Sequence, residues 1–157
     1  MDIRRATASD LDAVVAIIES QRRQYQKFQP TFWHRTADAA ELTRTFFSRL
    51  VAEPGTYFLV ATEGRQILGF VIAARFATPP VFASGGETWL IDDFAVSEPR
   101  HWLGIGEALL SHVSTLLHEQ DAAQIVAVCA DRDLAKAEVL RRSDLTIASN
   151  WWTKPLR

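Results

Sequence analysis

The chain has 157 residues, 48% hydrophobic and 23% charged, a globular mixture with enough length for one good core, so it reads as a single domain over residues 1–157. Its net charge of -2 gives no basic field for nucleic acid, and no apolar run reaches the length of a membrane span. A single cysteine, Cys129, excludes an internal disulfide and a thiol metal cluster, the histidines lack HxxxH spacing, and MDIRRATASD lacks an apolar leader core, so the expectation is a metal-free, cytoplasmic protein.

Ile3 to Ala6 reads as a short strand. Ser9 offers a helix cap, and Leu11, Val14, Val15 and Ile18 follow at helical spacing, with an end near Tyr25. Phe28 to Thr36 reads as a loop anchored by Phe32 and Trp33. Ala39 to Ala52 is a second helix, stopped by Glu53-Pro54-Gly55. Thr56 to Thr62 and Gln66 to Arg75 form a hairpin across Glu63-Gly64-Arg65. After a Pro- and Gly-rich loop, Glu87 to Val96 is a long strand. A helix follows Gly104, with Ile105, Leu109, Val113, Leu116 and Leu117 as its apolar stripe. Gln124 to Ala130 is a strand, Asp133 to Arg142 a helix, and Thr146 to Leu156 a closing strand. The order predicts an α/β (α+β) fold: a mixed, mostly antiparallel sheet with helices on both faces. The unit from Glu87 to Ala130 is a right-handed parallel crossover.

The most informative stretch is Ser97 to Leu110, SEPRHWLGIGEALL. It joins a strand to a helix and puts Gly104 and Gly106 at the helix start. Glycine there lets a ligand approach the backbone, and the first-turn amides face outward, where they hold anions such as a pyrophosphate. Plain turn geometry with close helix–sheet packing is the competing reading. Leu109 stands where a dinucleotide fingerprint needs its third glycine, and no GK[ST] follows, so both nucleotide-loop patterns fail.

The run Trp89 to Leu110, WLIDDFAVSEPRHWLGIGEALL, resembles the acetyl-CoA motif of the GNAT superfamily, in which a strand, a short turn and Gln/Arg-x-x-Gly-x-Gly/Ala open a helix. The element order is similar over nearly the whole chain. The resemblance implies an N-acetyltransferase fold whose two central parallel strands splay apart, with acetyl-CoA as cosubstrate and no metal. Phe94, Ala95 and Val96 lie on the strand that meets pantetheine, with Phe94 and Val96 offering backbone. His101, Trp102, Leu103, Gly104, Ile105, Gly106, Glu107 and Ala108 form the phosphate turn. His101 stands at the usual Arg or Gln, and Trp102 at a frequent glycine. Arg100 either supplies the missing charge or is a solvated turn residue.

Acyl transfer from a thioester needs a neutral attacking amine, a donor for the developing oxyanion, and a thiolate that can leave. The pattern Ile-Asp-Asp-Phe-Ala-Val is similar to strands of polyamine and aminoglycoside acetyltransferases, where the acidic residue lies near the acceptor amine. Carried over, Asp92 is the first choice for amine anchor or base and Asp93 the second, on opposite faces by strand alternation. Each also reads as a structural carboxylate, and Glu87 is a third, more exposed candidate.

Relatives carry a thiolate-protonating tyrosine in A-x-x-x-Y-x-x-x-G-F. Here Leu140 takes that place, and no tyrosine follows Tyr57. Ser143 and Cys129 are the remaining polar candidates, each read first as a cap or a buried small residue. Trp89, Trp151 and Trp152 read as core or homodimer contacts. Phe32 and Trp33 either stack on a ligand or anchor their loop. Arg22, Arg23 and Lys27 read as a solvated helix face. The expected acceptor is a small cationic amine, with no nucleic-acid or membrane partner. A non-catalytic acyl-CoA-binding domain and a protein or peptide acetyltransferase are the alternatives.

Overall fold

A computed structural model describes residues 1–157. Five strands form one sheet in the order β1-β2-β3-β4-β5. β1 (Asp2–Arg5), β2 (Thr56–Glu63), β3 (Gln66–Phe76) and β4 (Glu87–Val96) pair antiparallel, and β5 (Ala122–Ala127) runs parallel to β4. Four helices cover the sheet: α1 (Leu11–Phe28), α2 (Ala39–Ala52), α3 (Glu107–His118) and α4 (Leu134–Arg142). No helix is long and apolar enough to cross a membrane.

β2 and β3 are apolar on both faces because both faces are covered. Val60, Phe70 and Ile72 face Val14, Ile18 and Phe47 of α1 and α2. Leu59, Val71 and Ala73 face Leu109, Val113, Val139 and Leu140 of α3 and α4. Alternation along the strands thus sorts two cores, one on each side of the sheet. The β2–β3 hairpin turns at Gly64, whose φ of 57° suits glycine.

α1 starts later than Ser9 suggests, at Leu11, after a short 3-10 turn. The Asp10 carboxylate fixes that entry. It accepts the Thr7 backbone N–H at 2.7 Å and both ends of the Arg4 guanidinium at 2.7 and 2.8 Å. The Arg4 hydrogen bond is the largest reason that Asp10 titrates at about 2. α1 then runs past its apolar stripe to Phe28, with Tyr25 buried near its end.

Two strand expectations fail. β5 begins and ends earlier than the expected Gln124 to Ala130. The expected closing strand from Thr146 to Leu156 does not form. No backbone hydrogen bond holds residues 146–157, and Ile147, Trp151 and Trp152 are 78%, 84% and 92% exposed. Adjacent Trp151 and Trp152 cannot share a face under period-two alternation, and Pro155 has no N–H to give a ladder. Trp151 instead meets Phe32, with ring centroids 6.1 Å apart. Of the tryptophans read as core or dimer contacts, only Trp89 is in the core.

Asp10→Ala removes a cap and an ion pair together, and should cost about 1–2 kcal/mol at pH 7. The folded carboxyl titrates below its unfolded value, so its stabilisation is present above the ordinary aspartate range and fades as pH falls toward about 2. Urea unfolding of wild type and Asp10→Ala at pH 7 and near pH 2 checks this; an equal difference at both pH values would disprove the assignment.

Candidate functional site

β4 and β5 stay paired only from Glu87 to Ile91, where Ile91 lies opposite Ala127. The last link is the Val128 N–H on the Ile91 carbonyl, at 3.0 Å. Beyond it the strands part. On the other edge of β4, Val71 pairs with Phe94 and Ala73 with Ile91, so Ile72 alone faces both Asp92 and Asp93. That is a β-bulge, and it breaks the alternation that the sequence implies for the two aspartates. Past the bulge, the Ser97 N–H reaches β3 at Leu68 O, 2.8 Å away. Backbone alternation then points the amides and carbonyls of Phe94 and Val96 into the gap.

Immediately beyond β4 lies the glycine turn. Gly104 has φ 99° and ψ -72°, which L side chains rarely adopt, while a Cβ there would meet nothing within 4 Å. Its glycine is thus a matter of conformation. Gly106 is a matter of space: a Cβ would stand 2.7 Å from the Trp102 ring. Trp102 turns inward, 5% exposed, and packs edge-on against Phe94 at 4.8 Å. The Gly104 N–H faces outward and donates to the Glu107 carboxylate at 3.3 Å. Glu107 in turn pairs with Arg142 at 2.9 Å. A groove of about 620 Å³ runs from there between α3 and α4, past Ser111, Ser114, Thr115 and His118. These features fit an extended, phosphorylated thioester arm: open strand backbone for its amides, then an outward amide turn for its phosphates.

A model of the acetyltransferase (GNAT) family matches residues 14–142. The chain belongs to the GNAT family. No curated protein matches it significantly. Among solved structures, the tetramutant of the BH1408 protein of Bacillus halodurans is 19% identical, with TM-score 0.85 over 99% of this chain and 100% of that one. A predicted acetyltransferase of Clostridium acetobutylicum, solved with acetyl-CoA, is 18% identical, with TM-score 0.75 over 99% of this chain and 96% of that one. An aminoglycoside 6'-N-acetyltransferase of Acinetobacter haemolyticus is 13% identical, with TM-score 0.72 over 100% of both chains. At these identities the likeness is one of fold.

In this GNAT domain Asp92 is exposed and free of ion pairs, whereas Asp93 is 17% exposed and pairs with Arg22 at 3.1 Å. Burial is the main reason that the Asp93 carboxyl titrates above the usual range, with the Arg22 guanidinium opposing it. Arg22 is not the solvated residue its sequence suggests. It also donates to Thr43 of α2 and lies 3.6 Å from buried Glu19, which binds Arg35. Opposite charges thus alternate from the loop after α1 to β4.

Other expected site residues sit apart. Ala95 packs toward α1, and the Trp102 side chain belongs to the core beneath the turn, so neither side chain faces the gap. His101 shares a 2.9 Å hydrogen bond with Ser97, and Arg100 is held by Glu98 at 2.8 Å. Glu87 is tied to Arg75 at 3.2 Å. Leu140 is core, 9% exposed. Ser143 caps α4 beside the α3–α4 groove. Burial raises the Cys129 thiol to about 11, so it stays protonated. Trp33 packs 5.2 Å from Tyr25, which anchors its loop.

Two polar residues at the gap escape sequence reasoning. Tyr25 donates its hydroxyl to Asp133 at 2.9 Å, bringing α1 to the start of α4. Lys136, 1% exposed, reaches the Phe94 carbonyl at 3.2 Å. A signal for Lys136 exists: it sits three and four residues before Val139 and Leu140, on the helix's apolar stripe.

Arg22→Gln leaves Asp93 buried without its cation and should cost about 1–3 kcal/mol at pH 8. The penalty attaches to the ionised carboxylate, whose titration lies above the usual range, so it should shrink as pH falls through that raised value. Denaturant unfolding between pH 4 and 8 is the check; a loss that does not change with pH would remove Asp93 as its origin.

Proposed function

We propose that the protein is an acetyl-CoA-dependent N-acetyltransferase for a primary amine, acting by direct attack while both substrates are bound. The observation that carries this is the gap between β4 and β5, with Phe94 and Val96 backbone facing into it and the Gly104 turn at its end. Phe94 N–H and the Val96 backbone would bind the pantetheine amides as a substitute strand. The amides from Leu103 to Ala108 would hold the pyrophosphate, with Glu107 swinging from Gly104 toward Arg142. When bound, acetyl-CoA supplies an activated acyl group. The chain supplies position, hydrogen-bond donors for the developing oxyanion, and charge for the acceptor.

Asp92 is the acceptor's carboxylate. Its partner Asp93 is spent on Arg22, so Asp92 is the charge left free for a cation. A small amine carrying a second positive charge, polyamine- or aminoglycoside-like, fits an exposed carboxylate beside the gap. The aromatic loop of Phe32 and Trp33 packs on Tyr25 near the C-terminal end of α1, and the Tyr25 hydroxyl in turn reaches Asp133 at the start of α4.

One observation favours a second reading, a non-catalytic acyl-CoA-binding domain. Leu140 stands where relatives place a tyrosine, and it is packed in the core with no hydroxyl to offer. Turnover of acetyl-CoA with a panel of polyamines, aminoglycosides and peptides separates the two, since a binding domain gives none.

Gly104→Val should weaken acetyl-CoA binding at least tenfold by calorimetry while leaving the circular dichroism spectrum unchanged, because that backbone conformation excludes a β-branched residue. Unchanged affinity would place the phosphates elsewhere. Asp92→Asn should lower kcat/KM for a dicationic amine about 10- to 100-fold, with acetyl-CoA affinity unaffected. An equal loss for a monoamine would show that Asp92 does not read the second charge.

A further inference from the structure

Lys136 is the one fully buried ammonium of the chain that no carboxylate pairs; none of the nine ion pairs includes it. Its Nζ makes a single hydrogen bond, to the Phe94 carbonyl at 3.2 Å, and Gln21 Nε2 donates to that same oxygen at 3.1 Å. The ammonium also lies over the rings of Phe94 and Trp102, 5.4 and 5.8 Å from their centroids. Two of its three N–H groups therefore have only ring faces as partners. A buried cation left this way is costly unless an anion arrives or the proton departs.

Its place is specific. Phe94 is the first residue past the bulge, where β4 has already lost β5, so Nζ sits buried at a carbonyl that faces the gap between the strands. Lys136 lies one turn before Leu140 on the same face of α4. Ser143 is seven residues further along, roughly 10 Å by helix rise, at the far end of the helix.

We infer that the Lys136 ammonium is the proton donor for the thiolate that leaves when the acyl group is transferred. The inference rests on the acyl-CoA reading above. As the acceptor nitrogen forms its bond to the carbonyl carbon, the C–S bond breaks and its electron pair stays on sulfur. Sulfur takes a proton from Nζ and leaves as the neutral thiol. The proton lost by the attacking nitrogen passes to water, and Lys136 regains one from solvent once the thiol has gone.

Proton matching supports the assignment. An ordinary lysine holds its proton about two pH units more tightly than an alkyl thiol does. Burial pushes Lys136 below the usual lysine range and so narrows that mismatch, while Cys129 and Asp133 on the segment before and at the start of α4, and Asp92 and Asp93 on β4, pull the other way. From α1, Tyr25 holds Asp133 and Arg22 holds Asp93, which moderates both carboxylates. A proton donor matched to its acceptor transfers most readily.

The deciding titration needs no acceptor. Free CoA is titrated with and without protein, and thiolate is followed by its ultraviolet absorbance after subtracting the protein alone. Bound to wild type, the CoA thiol should ionise about 1–3 pH units below free CoA, because a cation within reach favours the thiolate. Lys136→Met, of similar length and without charge, should return it to the free value or above. Lys136→Arg should keep the thiol low but cut turnover at least tenfold in the amine panel, since guanidinium holds charge and does not release a proton. A wild-type thiol that ionises no lower than free CoA overturns the inference, even if neither variant folds. A Lys136→Met complex with the wild-type thiol value also overturns it. If calorimetry shows that wild type does not bind CoA, the acyl-CoA reading itself has failed, a result separate from the fate of Lys136.

Discussion

The structure turns on backbone hydrogen bonds that β4 does not make to β5. Parallel neighbours ordinarily satisfy each other along their whole length, and an unpaired buried amide or carbonyl is costly. Here pairing ends at Ile91 and Ala127, yet β4 continues to Val96. The unsatisfied groups must find other partners. Phe94 O finds two, from Gln21 on α1 and Lys136 on α4. Both helices therefore converge on the same point from opposite faces of the sheet. The remaining Phe94 and Val96 groups face the gap, where the proposed acyl-CoA arm would meet them.

The bulge at Asp92 and Asp93 is coupled to this opening. By placing two residues opposite Ile72 it lets both Ile91 and Phe94 enter the core on the α3 and α4 side, although three positions separate them. It also divides the labour of the two carboxylates. Asp93 is drawn into the charge chain with Arg22, Glu19 and Arg35, which ties α1, α2 and the loop between them to the strand end. Asp92 is left exposed. Two adjacent, chemically identical side chains thus acquire different surroundings, because Arg22 packs against only one of them.

Beneath the glycine turn, Trp102 fills the space that a smaller residue leaves open. Its ring packs on Phe94 and crowds Gly106, so the turn and the strand end are one packed unit. Lys136 lies over the same pair of rings, which gives its ammonium an aromatic surface in place of a carboxylate.

Much of the fold was legible from periodicity. The bounds of α2 and β4, the β2–β3 hairpin and the crossover through α3 follow from apolar spacing and turn residues, because those segments bury one stripe or two faces that the sequence must encode. The glycines at 104 and 106 announced the turn, and the family motif around them fixed its kind. What the sequence could not determine was anything that depends on where strands stop pairing. Thr146 to Leu156 reads as a strand, but a strand exists only by its partner's edge, and none takes it. The bulge reverses an alternation that is valid only for regular ladders. Arg22 looks like a surface charge in a linear reading, since a charge is buried or solvated only according to what another element brings against it. Local pattern therefore decided the elements, while long-range packing decided which charged groups are buried and against what.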